Sequence, residues 1–131
     1  MKITTNFTLT ELTTTSTGIA NVPDRHEVAA LITLCGKVLQ PARDILGESI
    51  HINSGYRSPA VNRAVGGAHN SQHMLGEAAD ITVLSCEGNK KLFEIIRDNL
   101  SYDQLINERN FSWIHVSYKS LEANRKQVLH L

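Results

Sequence analysis

The last third of the chain carries three consecutive segments with a period-two rhythm, "DQLIN", "SWIHVSY" and "RKQVLHL", joined by polar turns. Alternation of this kind fits strands covered on one face, so the run predicts three sequential strands. Ahead of them, "NKKLFEIIRDNL" places Leu92, Ile95 and Ile96 at helical spacing. Earlier still, Val28, Leu31, Ile32, Cys35, Val38 and Leu39 recur every three or four residues. "DRHE" offers a capping box for that helix, Pro41 is expected to kink or end it, and Gly47 closes it. Helices early, one helix in the middle and strands in series at the end favour an α+β fold. Its sheet should be mainly antiparallel and flanked by helices, not doubly wound and parallel.

The intervening stretch is punctuated clearly. "SIHINSGYRSP" reads as a short strand running into a turn at Gly55. Ser58 and Pro59 then look like the N-cap and first residue of a short helix, "PAVNRAV", stopped by Gly66 and Gly67. "AHNSQHMLGE" is loop-like and "AADITVL" is a compact, β-branched strand. Residues 1–18 are rich in threonine and read as loosely structured, with "FTLTEL" able to make one helical turn. With no internal repeat or linker, the 131 residues read as a single domain. That length suffices for a core without metal or disulfide staples, so a metal here would be a chemical tool.

Charge and apolar content narrow the partners. Thirteen basic and thirteen acidic side chains cancel, leaving no basic field for a nucleic-acid backbone. No stretch approaches the roughly 20 apolar residues of a membrane span, and the opening lacks the apolar run of a signal peptide. The chain is therefore expected to be soluble and made in the cytoplasm without an export signal. Cys35 and Cys86 form no C-x-x-C pair and are expected to be buried free thiols, with a disulfide between them left open.

Potential chemistry concentrates around "SQHMLGEAAD". Alternation in "AADITVL" sends Ala79, Ile81 and Val83 to one face and Ala78, Asp80 and Thr82 to the other. Gly76 lets the loop turn so that His73 folds back over the strand start. In "WIHVSY", Trp113, His115 and Ser117 share one face, opposite Ile114, Val116 and Tyr118. If Asp80 and His115 lie on neighbouring strands, they approach within the roughly 5 Å of a cross-strand pair, and His73 closes a third corner. Two imidazoles and one carboxylate leave Zn²⁺ with a charge of about +1 and one open tetrahedral position, where water would have a pKa of about 7. On spacing alone His115 reads more readily as a satisfied core histidine. His69 with His73 forms a rival H-x-x-x-H pair, but without the glutamate that zincins use. It is kept as a residue beside the ligands or the substrate. His26 reads as solvent-facing, and His51 and His130 as strand residues.

The stretches "SGYRSPAVNRAVGGAHNSQHMLGEAADI" and "WIHVSY" resemble the zinc D-alanyl-D-alanine carboxypeptidase family. That family includes vancomycin-resistance dipeptidases, phage L-alanyl-D-glutamate endolysins and, as a structural cousin, the Hedgehog signalling domain. Ser71, His73, Gly76, Ala78 and Asp80 meet its S-x-H-x-x-G-x-A-x-D pattern, and His115 meets its later histidine. The resemblance implies zinc held by His73, Asp80 and His115. It also implies that Arg57 orients the scissile bond and stabilises the oxyanion and that Ser71 hydrogen-bonds substrate. Where several relatives carry an acid a few residues before the last histidine, this chain has Ser112 at the third position before it. Glu108 is therefore assigned the role of general base and acid, with Asp103 as runner-up. Trp113 either walls the groove or belongs to the core. The implied activity is zinc-dependent hydrolysis of peptidoglycan stem peptides, by a D,D-carboxypeptidase or related endopeptidase. The alternative is a catalytically silent zinc module that binds cell-wall peptide or a protein partner. A cell-wall substrate without an export signal resembles phage-type lysis proteins released through a membrane pore.

Overall fold

The computed structural model describes residues 1–131 and shows a mixed α+β architecture with two sheets. The chain opens with a small antiparallel pair, β1 (Lys2–Thr4) and β2 (Phe7–Thr8), leading into α1 (Leu9–Thr13). Residues 2–13 thus hold regular elements where loose structure was expected over 1–18, while residues 14–18 are irregular. Thr8 and Glu11 form a capping box, and Phe7 and Leu12 are buried in the main core. Threonine-rich composition conceals two apolar anchors and a T-x-x-E start signal.

The first long helix begins at Asp24, whose side chain and that of Glu27 make the expected capping box. Helix α2 (Arg25–Leu34) passes through a π-helical turn (Cys35–Leu39) into α3 (Gln40–Leu46). Pro41 therefore neither ends nor sharply interrupts the helix. The wider turn moves the Gln40 N–H bond to Cys35 O, so the ladder is already displaced where proline would break it. Gly47 closes α3 in the left-handed conformation. Ile32, expected on the apolar stripe, is exposed.

The main sheet has the order β3–β4–β6–β5–β7, with β3 (His51–Ser54), β4 (Ala78–Thr82), β5 (Gln104–Glu108), β6 (Trp113–Ser117) and β7 (Gln127–His130). The pairs β3–β4, β4–β6 and β5–β6 are antiparallel, and β5–β7 is parallel. The exception follows from connectivity. Strand β6 has both edges taken, so the chain leaving it crosses to the free edge of β5 and enters at the end where β5 starts.

Helix α5 (Cys86–Asn99) joins α2 and α3 over one face of this sheet. Leu31, Leu34, Val38, Leu92, Phe93 and Ile96 pack there with Ile81, Leu105, Ile114 and Val116. The alternation read from "AADITVL" and "WIHVSY" thus divides core from site. On the other side lie α4 (Pro59–Ala64), N-capped by Ser58, and a 3₁₀ turn (Gln72–Leu75) inside the stretch expected to be loop. Of the two cysteines, both free, Cys35 is buried and Cys86 is exposed on the first turn of α5, contrary to the expected burial of both. No helix is long and apolar enough to cross a membrane.

Candidate metal centre and groove

Strand register creates the heart of the site. Asp80 on β4 stands directly opposite His115 on β6, and His115 Nδ1 lies 3.0 Å from Asp80 Oδ1. The 3₁₀ turn brings His73 over the same carboxylate, with Nε2 at 3.4 Å from Oδ2. One ligand atom from each of the three residues can be chosen so that all lie within 4.8 Å of one another. Two ligands each about 2.0–2.1 Å from a tetrahedral zinc are separated by roughly 3.3 Å, and each imidazole already stands at about that distance from one of the two Asp80 oxygens. The donor set, two imidazoles and one carboxylate with a side open to the groove, suits such an ion.

The surrounding bonds settle which nitrogen of His73 faces the group. Its ring is buried, and Nδ1 lies 2.7 Å from the carbonyl oxygen of Gly55. A carbonyl only accepts, so Nδ1 carries a proton, and Nε2 is the nitrogen that a metal would take in place of any proton shared with Asp80. The Arg57 N–H in turn donates to His73 O, tying the β3–α4 turn to the 3₁₀ turn in both directions. Gly55 has room for nothing larger, because an added Cβ would overlap the Leu12 carbonyl of α1. Gly76 ends the 3₁₀ turn with φ +73° and lies equally close to the Glu27 carbonyl of α2.

Arg57 is anchored on three partners: Nε donates to Ser54 Oγ at 3.0 Å, NH1 to Asn62 Oδ1 at 3.2 Å and NH2 to Asp80 Oδ2 at 3.2 Å. It therefore touches Asp80 as well as the groove. Burial pushes the Asp80 carboxyl upward, but hydrogen bonds and charge from His115 and His73 outweigh it and hold the group well below the usual carboxylate range. Ser71 caps the 3₁₀ turn, its Oγ accepting from the His73 N–H at 3.2 Å, which leaves its hydroxyl hydrogen free.

A cavity of about 560 Å³ runs over this group and is lined by Arg57, Ser71, Glu108, Trp113 and Arg125 besides His73, Asp80 and His115. Glu108 pairs with Trp113, while Ile106, two residues earlier on β5, pairs with His115. Glu108 is therefore diagonal to His115 on the same face. Trp113 is a groove wall, with the Arg109 guanidinium 5.7 Å from its ring centroid. The turn after Glu108 is unusual: Arg109, Asn110 and Phe111 all take positive φ, 46°, 55° and 62°. Buried Asn89 donates to the carbonyls of Phe111 and Ser112, and Asn107 Oδ1 accepts from the Phe111 N–H.

Asp103 is not available as a base. It is completely buried, and each of its oxygens accepts two hydrogen bonds, from Arg125 and Gln72. The Arg125 guanidinium beside it, against a smaller opposing effect of burial, lowers its pKa to about 2. His69 lies on an exposed turn outside the ligand group, His26 is exposed on α2, and His51 and His130 are on β3 and β7 as read from sequence. Sequence reasoning missed Gly55, Asn62 and Ser54. Ser54 faces Asp80 through a β-bulge between Ile52 and Ser54, for which alternation gives no signal. Asn62, on the helix correctly read as starting at Ser58, offered only its place five residues after Arg57.

An α+β sheet carrying an open His–Asp–His group on the wall of a groove is an arrangement that suits a protein-bound divalent metal ion. Comparison with known proteins makes this specific: a family model described as Peptidase M15 matches residues 5–117, and the chain belongs to that family. It is also similar to a zinc D-Ala-D-Ala carboxypeptidase from Streptomyces albus G, 47% identical over 53 residues. That match covers 40% of this chain and 20% of the relative, so the chain spans about a fifth of the relative's length.

Proposed function

We propose that this chain is a zinc peptidase that hydrolyses peptide bonds in peptidoglycan stem peptides, as a D,D-carboxypeptidase or a related endopeptidase working on the cell wall. We read its sheet as the zinc-peptidase architecture shared with the Hedgehog signalling domain. The observation that carries the proposal is the His73–Asp80–His115 group, compact to within 4.8 Å, sharing one cavity with Arg57 and Glu108. His73 Nε2, an Asp80 oxygen and His115 Nδ1 would hold the ion. When bound, zinc supplies Lewis acidity, polarising the scissile carbonyl and acidifying water to a pKa of about 7.

The protein's own groups do the rest. Of the five N–H donors of Arg57, three are engaged, leaving one each on NH1 and NH2 for a substrate carbonyl or carboxylate. Its bond to Asp80 keeps that carboxylate aligned while substrate binds. Ser71 donates its free hydroxyl hydrogen to the peptide. Glu108 accepts the proton released as water attacks the carbonyl carbon and returns it to the leaving amine as the C–N bond breaks. The test is incubation of zinc-loaded protein with defined muropeptides, followed by mass analysis of the products. Cleavage that is lost in Glu108→Gln protein still holding zinc is the expected result. Zinc retention with no cleavage of any muropeptide by the native chain overturns the proposal in favour of a binding module.

A further inference from the structure

Arg125 is a second guanidinium in the groove that the mechanism above does not use. It stands on the connection between β6 and β7, outside the residues 5–117 that the family model matches. Asp103 receives its backbone N–H at 2.8 Å, Nε at 3.0 Å and NH2 at 2.8 Å. Gln72 Oε1 lies 3.5 Å from the same NH2. NH1 finds no acceptor in the protein, and the side chain, 49% exposed, lines the cavity of the His–Asp–His group. A fully buried carboxylate with all its accepting positions directed at donors is thus fixing the orientation of a half-exposed guanidinium. Surface arginines without such a clamp lose considerable side-chain freedom on binding; this one has lost it already.

Its place along the groove follows from the register. The Asp103 N–H donates to Ser117 O at the end of β6, whereas Glu108 pairs with Trp113 at the start of β6, with His115 between. Arg125 and Glu108 therefore lie on opposite sides of the metal group along the strands. We propose that the NH1 edge of Arg125 is a carboxylate subsite, anchoring a free carboxylate of the bound peptide away from the general base. A carboxylate fits because NH1 keeps both hydrogens unpaired, and one of them runs parallel to the NH2 hydrogen that meets Gln72 Oε1 only at 3.5 Å. With a divalent ion in place, cationic groups also outweigh Asp80 and Glu108 in the cavity. The proposal rests on the peptidase reading for the identity of the ligand as a peptide.

The experiment uses zinc-loaded Glu108→Gln protein, so that no turnover intervenes, and calorimetric titration with a stem pentapeptide and each of its singly amidated forms. One amidation is expected to weaken binding about tenfold or more, as loss of a charge-assisted bond does. That ratio should fall to within about twofold when Arg125→Gln is added. Because Arg125→Gln loosens Asp103, Arg125→Lys is tested beside it; lysine keeps a charge near Asp103 but lacks the NH1 donors, and the same collapse is expected. The subsite is overturned if no single amidation matters by more than about twofold, or if the penalty survives in both Arg125 variants. Turnover of the same peptides by the native chain judges the peptidase reading separately. Cleavage without an amidation effect removes the subsite alone, and an Arg125-dependent effect without cleavage removes the peptidase reading alone.

Discussion

Replacing Gly55 with alanine tests how the amino-terminal segment supports the metal group. The new Cβ would lie 3.0 Å from the Leu12 carbonyl carbon and Cα and closer still to the oxygen, where comfortable carbon contacts need about 3.5 Å. The obstacle is backbone, so relief requires the β3–α4 turn to retreat from α1 by about half an ångström or more. The Gly55 carbonyl moves with the turn. Its 2.7 Å bond to His73 Nδ1 then stretches to or beyond about 3.2 Å, the outer range of a good hydrogen bond. Loss of such a partner behind a ligand histidine lowers metal affinity about 10–100-fold. Overpacking of this kind also costs about 1–3 kcal/mol of stability. Competition with a chromophoric chelator measures the first effect and thermal unfolding of metal-free protein the second. Gly36→Ala, where an added Cβ meets nothing within 4 Å, is the control and should retain zinc affinity. Unchanged zinc affinity in the Gly55→Ala protein refutes the proposed coupling between α1 and His73.

Other consequences can be checked in the same preparations. Arg57→Lys removes a three-partner fork, and chelator competition should show zinc held about tenfold less tightly because Asp80 loses its alignment. Asp103 has a folded-state pKa of about 2 against its ordinary 3.8, so its contribution is complete above pH 4 and is lost as pH falls towards 2. That contribution amounts to about 1–2 kcal/mol once screening at the half-exposed Arg125 is counted. Urea titrations at successive pH values should therefore show a shallower acid-side decline for Asp103→Asn than for the native chain. Burial pushes the Cys35 thiol up to about 12, with Glu11 adding to the effect, whereas Cys86 is exposed. A thiol reagent under native conditions should accordingly label Cys86 alone, as mass analysis would show, and labelling of Cys35 would contradict its burial.

Much of the site was legible because period-two alternation carries real spatial information. Asp80 and His115 fall on the polar sides of two strands whose other faces build the core, and once those strands pair the two side chains must meet. His73 was legible through the long spaced pattern around it, not through any single pair. The two candidates for a general base divided differently: the hairpin keeps Glu108 in the groove, while Asp103, one residue before β5, turns into an ion pair with Arg125. What alternation cannot reveal is any departure from it. The bulge that aims Ser54 at Arg57, the π-helical turn that absorbs Pro41 and the β7 crossover to the far edge of β5 all depend on contacts between distant segments. Arg125 opened the segment "RKQVLHL", read as a strand, and nothing in that rhythm signalled its place in the groove, since its partner Asp103 lies 22 residues away. Threonines around Phe7 and Leu12 similarly hid two core residues within a polar composition.

The three successive left-handed residues after Glu108 have a bearing on how this protein can be improved. Arginine and phenylalanine pay about 1–2 kcal/mol each for that conformation, which asparagine adopts more readily, so Arg109→Gly is an obvious route to greater heat resistance. The same conformational penalty belongs to a turn that joins Glu108 to Trp113 across the mouth of the groove. On the proposed peptidase function, relaxing it with glycine trades a higher melting temperature for a less firmly held Glu108, and laboratory selection for durability alone would drift towards a hardier, slower protein.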